Sequence, residues 1–142
     1  DWSVYFRGSS KRSGVLLICN NELLLVQCWI STKEWGLPGG GAKRHETIRS
    51  CAVRELHEEV GFLASESSLT SLGVHHTKRL GFSYDAEYFV VHVSEKPEIK
   101  TQKFEIVAYA WTRLDTLNKK ILDDDARYAL KRYRPPLTPS LL

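Results

Sequence analysis

Apolar and polar residues alternate from the first positions of the chain. Trp2, Val4 and Phe6 interleave with Ser3, Tyr5 and Arg7, the period of a short edge strand, and a basic connector, GSSKRSG, follows. Two apolar runs come next, Val15 to Cys19 and Leu23 to Val26, on either side of Asn20 and Asn21. Asparagine tolerates the positive φ of a tight turn, so the runs predict a β-hairpin. Gln27 to Glu34 is a polar lead into Trp35, and Leu37 to Gly41 reads as a turn. From Glu46 to Val60 the period changes: Ile48, Ala52, Leu56 and Val60 recur every fourth position with Cys51 beside them, which predicts a helix that Gly61 ends in a left-handed conformation.

Ser65 to Ser68 reads as a loop, and Leu69 to Thr77 and Tyr84 to Val93 as strands joined by the polar turn KRLGFS. The unbroken run Phe89, Val90 and Val91 predicts a strand buried on both faces. Ser94 to Lys103, polar and containing Pro97, is a loop long enough to overhang a site, and Ile106 to Thr112 is a further strand. A final helix starts at Asp123 as N-cap, with Asp124 and Asp125 at the positive end of its dipole. Tyr128, Ala129, Leu130 and Tyr133 form its apolar side before Pro135 and Pro136 stop it. There is no internal repeat, and the expectation is one domain over residues 1–142, with 1–13 an N-terminal arm or edge strand.

Composition changes this picture little. The 142 residues are 42% apolar and 11% aromatic, enough for one core. A net charge of +3 is compatible with an anionic ligand and too weak to imply nucleic acid. Cys19, Cys28 and Cys51 are odd in number, widely spaced and in apolar contexts, which weighs against a disulfide framework or a zinc site and points to core residues of an intracellular protein. No apolar run approaches the roughly 20 residues that span a bilayer, and the first residues lack the core of a signal peptide, so a soluble cytoplasmic protein without a membrane partner is expected. The chain contains no methionine, so residues can precede Asp1.

The chemistry lies on the first helix. At about 100° per residue, Glu55 and Glu59 fall inside its apolar arc and Glu58 at the rim. Ionised carboxylates turned toward a core cost several kcal/mol each unless paired or coordinated, and three together repel one another. Arg54 is next in sequence, but it points off the arc and is expected to neutralise only one of them. Residues at i, i+3 and i+4 share a face, so the three carboxylates can converge on one point or two, and hard oxygen ligands suit Mg²⁺ or Mn²⁺, which also reach phosphate oxygens. The competing reading is a solvated acidic helix paired with lysines. Gly39, Gly40 and Gly41, which let backbone groups approach a ligand, lead directly into this helix and weigh against that reading.

Written as a pattern, the stretch is Gly40, five residues, Glu46, seven residues, Arg54, Glu55, Leu56, His57, Glu58, Glu59, Val60, Gly61, Phe62. It resembles the Nudix box at every fixed position, and the preceding tryptophan and LPGG are also frequent in that superfamily of hydrolases. The resemblance implies an α/β fold, an α/β/α sandwich with a mixed central sheet, and metal-dependent hydrolysis of a nucleoside diphosphate linked to another group. It implies that Glu55, Glu58 and Glu59 bind the divalent ions with a Gly40 or Gly41 carbonyl, that Gly39, Gly40 and Arg54 lie against the substrate, and that Arg54 and Glu46 pair to orient the helix. A further carboxylate from a later loop is expected, Glu105 first and Glu98 second. Water would attack one phosphorus in line while Glu55 or Glu105 takes its proton.

The partner is then a nucleotide-type small molecule, with a nucleoside triphosphate foremost. Marks that accompany ADP-ribose, NADH and coenzyme A hydrolases are missing. Trp29, Trp35, Phe82, Tyr84, Tyr88, His75 and His76 are candidates to contact a base, core packing or simple exposure being the other reading of each. Two alternatives stand: removal of a 5′ diphosphate from RNA, held by GSSKRSG and ALKRYRP, and a non-catalytic nucleotide sensor. A homodimer through the N-terminal strand is a further possibility.

Overall fold

The computed structural model describes residues 10–79, 81–101 and 104–135. The expected edge strand at Trp2 to Phe6 lies outside them, as does Pro136. The elements are β1 (Lys11–Cys19), β2 (Glu22–Cys28), β3 (Ser31–Gly36), β4 (Gly39–Gly41), α1 (Ile48–Val60), β5 (Thr70–Arg79), β6 (Phe82–Val93), β7 (Ile106–Arg113) and α2 (Asp124–Arg132). The strands form one seven-stranded mixed sheet in the order β3-β2-β1-β6-β5, with β4 on β1 and β7 on β2.

The β1–β2 hairpin turns at Asn20, whose φ of 54° is the left-handed value expected of it. These two strands then part, pairing only at Ile18↔Leu23 and Cys19↔Glu22. β4 takes the edge that β1 leaves free, over Arg12 to Gly14, and β3 takes the edge that β2 leaves free. The segment Leu37–Pro38 between β3 and β4 therefore crosses a fork in the sheet, and the Pro38 carbonyl accepts from the Val15 N–H at 2.9 Å within it.

On its other side β1 runs parallel to β6 along its whole length, Lys11↔Asp85 to Cys19↔Val93. That position requires side chains buried on both faces, hence the continuous apolar runs in both strands. Val15, Leu17, Phe89 and Val91 face α1, packing on Ala52, Leu56 and Val60. Leu16, Ile18, Tyr88 and Val90 face α2, packing on Ala129 and Tyr133. The result is the expected mixed α/β arrangement with a helix on each face.

Several boundaries differ from expectation. Lys11 to Gly14 is strand rather than connector, and Ser31 to Gly36 is strand rather than a polar lead, because partners on the sheet supply backbone hydrogen bonds that polar sequence does not exclude. For the same reason β5 and β6 continue into KRLGFS, pairing Lys78↔Ser83 and Arg79↔Phe82. Glu66–Ser68 forms one 3-10 turn within the expected loop. α1 starts at Ile48, not Glu46, since the Thr47 hydroxyl accepts from the Ser50 N–H at 3.0 Å as N-cap. Gly61 ends it at φ 83°, as expected. The loop after β6 covers the C-terminal end of α1, where the Lys100 N–H donates to the Val60 carbonyl at 2.8 Å. Among the described residues, no helix is long and apolar enough to cross a membrane.

Candidate active site

α1 lies against β4 at the fork, so its arc of small and acidic residues meets glycines. Cys51, Ala52, Glu55, Leu56, Glu59 and Val60 are its buried positions. Glu55 is 0% exposed and Glu59 3%, the inward placement that the wheel gives them, while the Glu58 side chain at the rim is 28% exposed. The fit is close: a Cβ added to Gly40 would stand 2.9 Å from the Glu55 carboxyl carbon. The Gly39 N–H donates to Glu59 Oε1 at 2.9 Å.

Arg54 does more than expected. Its Nε and Nη2 form a two-pronged contact with Glu46 at 2.8 and 2.9 Å, its Nη1 reaches Glu55 at 2.5 Å and Glu58 at 3.1 Å, and Nη2 also donates to the Gly41 carbonyl at 3.1 Å. One guanidinium thus bonds to two of the three clustered carboxylates, Glu55 and Glu58, as well as to Glu46, although its single positive charge offsets only one negative charge. The fork geometry of five N–H donors makes this possible where a lysine could not. Glu46 stands outside the helix, turned by His45 at φ 70°, and so can face Arg54. The hydrogen bond from Arg54 holds the Glu46 carboxyl below the usual range, and the bond to Glu46 in turn raises Arg54. The contribution of Glu46 to stability is therefore present at neutral pH and lost on acidification.

Gly39–Gly41, a strand paired with β1 where the sequence reads as a turn, is supported from below. Cys51 Sγ donates to the Gly40 carbonyl at 3.4 Å and lies 3.4 Å from the Ser13 hydroxyl. A carbonyl oxygen has two lone pairs, so this weak bond leaves Gly40 able to accept again. At the mouth of the fork, the Asp123 carboxylate sits where a Cβ on Gly36 would fall, 2.3 Å from Oδ2, while its Oδ1 caps α2 by accepting from the Ala126 N–H. The Cys28 thiol is pushed up to about 11, by burial first and then by the charges of Glu59, Asp123 and Glu105. Three segments, α1, the cap of α2 and the residue before β7, thus bring an acidic group within electrostatic reach of Cys28. Asp123 reads in sequence only as a cap, and nothing local marks its approach to Gly36.

Glu105 stands just before β7, where its carbonyl accepts from the Trp29 N–H at 2.9 Å. Glu98, the second candidate, is on the surface with its side chain 79% exposed and paired with Lys100 at 3.8 Å. The aromatic candidates separate clearly. Tyr84 and Tyr88 are buried, and the Tyr88 hydroxyl donates to Asp125 at 2.5 Å. Trp35 packs on the α2 side of the sheet beneath the Lys120 ammonium, His75 stacks on Tyr128, and His76 contacts Asp85. Of the Phe82 side chain nothing is described.

The donor set bears on which ion fits. Among the described residues no three His, Cys, Asp or Glu side chains close around one point. Glu55 and Glu59 are buried and Glu58 is part-exposed at the rim, so the three carboxylates share one side of α1 without closing on a single point. Mg²⁺ keeps most of its waters and takes one or two carboxylates plus substrate oxygens, so hard carboxylate oxygens that do not form a cage still suit it.

Cys51 is likewise pushed up to about 11 by burial. Iodoacetamide at mildly alkaline pH is expected to leave both Cys28 and Cys51 unmodified until denaturant is added, as mass spectrometry would show. Unfolded thiols lose their protons from about pH 8.5. The stability carried by the neutral thiols is thus whole below that pH and declines as the pH rises toward 11.

The family model of the NUDIX domain matches residues 10–133. Among solved structures, a MutT NUDIX hydrolase from Burkholderia pseudomallei is similar with a TM-score of 0.75 and 24% identity, covering 88% of this chain and 98% of that one. The NUDIX domain of Shewanella oneidensis NrtR complexed with ADP ribose gives 0.74 at 16% identity over 86% and 84%. An Ap4A hydrolase of C. elegans gives 0.72 at 18% over 87% and 93%. At these identities the likeness is one of fold. The mRNA decapping complex subunit 2 of Schizosaccharomyces pombe is 39% identical over 41 residues, 29% of this chain, which spans only 6% of that protein's length.

Proposed function

The chain belongs to the Nudix hydrolase family, and from that premise we propose that it hydrolyses a diphosphate bond in a nucleoside diphosphate linked to another group, using Mg²⁺ or Mn²⁺, with a nucleoside triphosphate the foremost substrate. The observation that carries this reading is the row of Glu55, Glu58 and Glu59 against the glycine turn, two of the three buried. One structural neighbour is complexed with ADP ribose and another is an Ap4A hydrolase, which supports the substrate class.

The three carboxylates and the Gly40 carbonyl would hold the metal. A divalent ion there supplies positive charge to the diphosphate and makes nearby water more acidic. The remaining work is the chain's own. The Gly39 to Gly41 backbone, free of side chains, lets the diphosphate come close to the row. Arg54, fixed by Glu46 and the Gly41 carbonyl, holds Glu55 and Glu58 in place and lowers their mutual repulsion. Glu55 or Glu105 takes the proton of the attacking water, and the products are a nucleoside monophosphate and the phosphorylated remainder.

The test is a panel of nucleoside triphosphates, dinucleoside polyphosphates, ADP-ribose, NADH, nucleotide sugars and triphosphorylated or capped RNA, each with Mg²⁺ and Mn²⁺. Hydrolysis of at least one member that EDTA abolishes and added metal restores is expected. The stretch shared with a decapping subunit is the reason to include RNA. Binding of nucleotides without metal-dependent turnover of any member would replace the reading with that of a sensor.

A further inference from the structure

One buried sulfur joins three elements around the glycine strand. Cys51, 0% exposed on α1, donates from Sγ to the Gly40 carbonyl of β4 at 3.4 Å, and the hydroxyl of Ser13 on β1, 5% exposed, lies 3.4 Å from the same sulfur. A thiol carries one proton, so with that proton on Gly40 the Ser13 hydroxyl is the donor in the second contact. Arg54 Nη2 also donates to Sγ, at 3.8 Å, and to the Gly41 carbonyl at 3.1 Å. The sulfur thus gives one bond and receives two, and in a buried setting linked bonds of this kind polarise and strengthen one another. Ser13 and Gly40 are direct partners across the β1–β4 ladder, which brings the hydroxyl and the carbonyl to one place.

Gly40 is also where Glu55 rests, since a Cβ on it would stand 2.9 Å from the Glu55 carboxyl carbon. Cys51 and Glu55 lie one turn apart on one face of α1, so the thiol and the carboxylate sit on the same residue of β4. Two further bonds also join α1 to β4, from the Gly39 N–H to Glu59 and from Arg54 to the Gly41 carbonyl. Both run through charged groups on which a divalent ion and a diphosphate would act directly, whereas the bond from the thiol to Gly40 involves no charge. We infer that Ser13 and Cys51 are positioning residues: their contact with Gly40 sets the height and rotation of α1 over β4, and so keeps Glu55 and Glu59 in place for a divalent ion. This rests on the reading of these carboxylates as metal ligands. The buried thiol acts through Gly40 and Glu55, and an apolar side chain there would fill the space without fixing the rotation of the helix.

The experiment compares the wild type with Cys51→Val, which fills the space and removes the bonds, Cys51→Ala, which also empties it, Cys51→Ser, which keeps a donor and an acceptor on a shorter arm, and Ser13→Ala. Each protein is titrated with Mn²⁺ alone by electron paramagnetic resonance, melted thermally, and assayed for kcat and KM on the panel nucleotide that the wild type cleaves fastest. Misplacing a catalytic group by about 1 Å can cost about a hundredfold, so Cys51→Val and Cys51→Ala are expected to weaken Mn²⁺ binding and lower kcat about tenfold, with KM within about twofold. Ser13→Ala should shift both in the same direction by less, and Cys51→Ser should lie nearer the wild type than Cys51→Val. Wild-type Mn²⁺ affinity and kcat in Cys51→Val overturn the inference, because packing alone then suffices. So does a lowered melting temperature in Cys51→Ala with Mn²⁺ affinity and kcat unchanged, or a Cys51→Ser variant no better than Cys51→Val. If Cys51→Ala does not fold, the other three variants decide. If the wild type cleaves no member of the panel yet Cys51→Val binds Mn²⁺ more weakly, the hydrolytic reading fails and the positioning role stands. Metal-dependent cleavage by a wild type that Cys51→Val matches gives the opposite outcome.

Discussion

Replacing Glu59 by glutamine is expected to lower turnover at least about a hundredfold while leaving the fold in place. Glutamine has the shape of glutamate, and its amide oxygen can still accept from the Gly39 N–H that Glu59 Oε1 binds at 2.9 Å. What disappears is one negative charge in a site that is 3% exposed. Removing a buried like charge beside Glu55 does not destabilise the chain, so the melting temperature should hold or rise. A hard cation loses an ionised ligand, and its affinity falls with the rate. Glu58→Gln is expected to behave in the same direction, because its amide oxygen can keep the contact with Arg54 Nη1. The measurements are kcat at saturating Mg²⁺, the Mg²⁺ dependence of the rate and a thermal melt of each variant. Near-normal kcat in both would remove these residues from the metal site.

Arg54→Ala should cost stability as well as activity. Its side chain is 18% exposed and joins Glu46, Glu55 and Glu58, of which Glu55 is almost wholly buried. Removing one partner of a buried pair costs about 3–5 kcal/mol, and the partial exposure here places the effect near about 3. For a chain of this length that lowers the melting temperature by about 10 °C. Arg54→Lys keeps the charge, yet a single ammonium cannot span three carboxylates, so it should fall between the two. A thermal melt of Arg54→Ala that coincides with the wild type would show that the three carboxylates do not depend on this guanidinium.

The sequence made the site visible through a contradiction. Glu55 and Glu59 fall among apolar positions at helical period, which a solvated acidic helix does not explain, and both are buried in the fold. The hairpin at Asn20, the stop at Gly61 and the cap at Asp123 were equally plain, because each depends on the conformational preference of one residue. The continuous runs in β1 and β6 told of strands covered on both sides. Polar strands were not legible. Lys11 to Gly14 and Ser31 to Gly36 become strands through hydrogen bonds to partners distant in sequence, and their side chains carry little sign of it.

What the sequence determined, then, is a helix with carboxylates on its inward face, since side-chain periodicity is a local property, whereas the glycines read as a turn form strand β4 on β1. What the tertiary structure alone decided is what surrounds that helix. The fork between β1 and β2 places the glycines, Arg54 bonds to Glu46, Glu55 and Glu58 together, Asp123 comes against Gly36, and Glu98 is exposed. Charge pairing arises from segments packed together across the chain, and no local pattern records which segments those are.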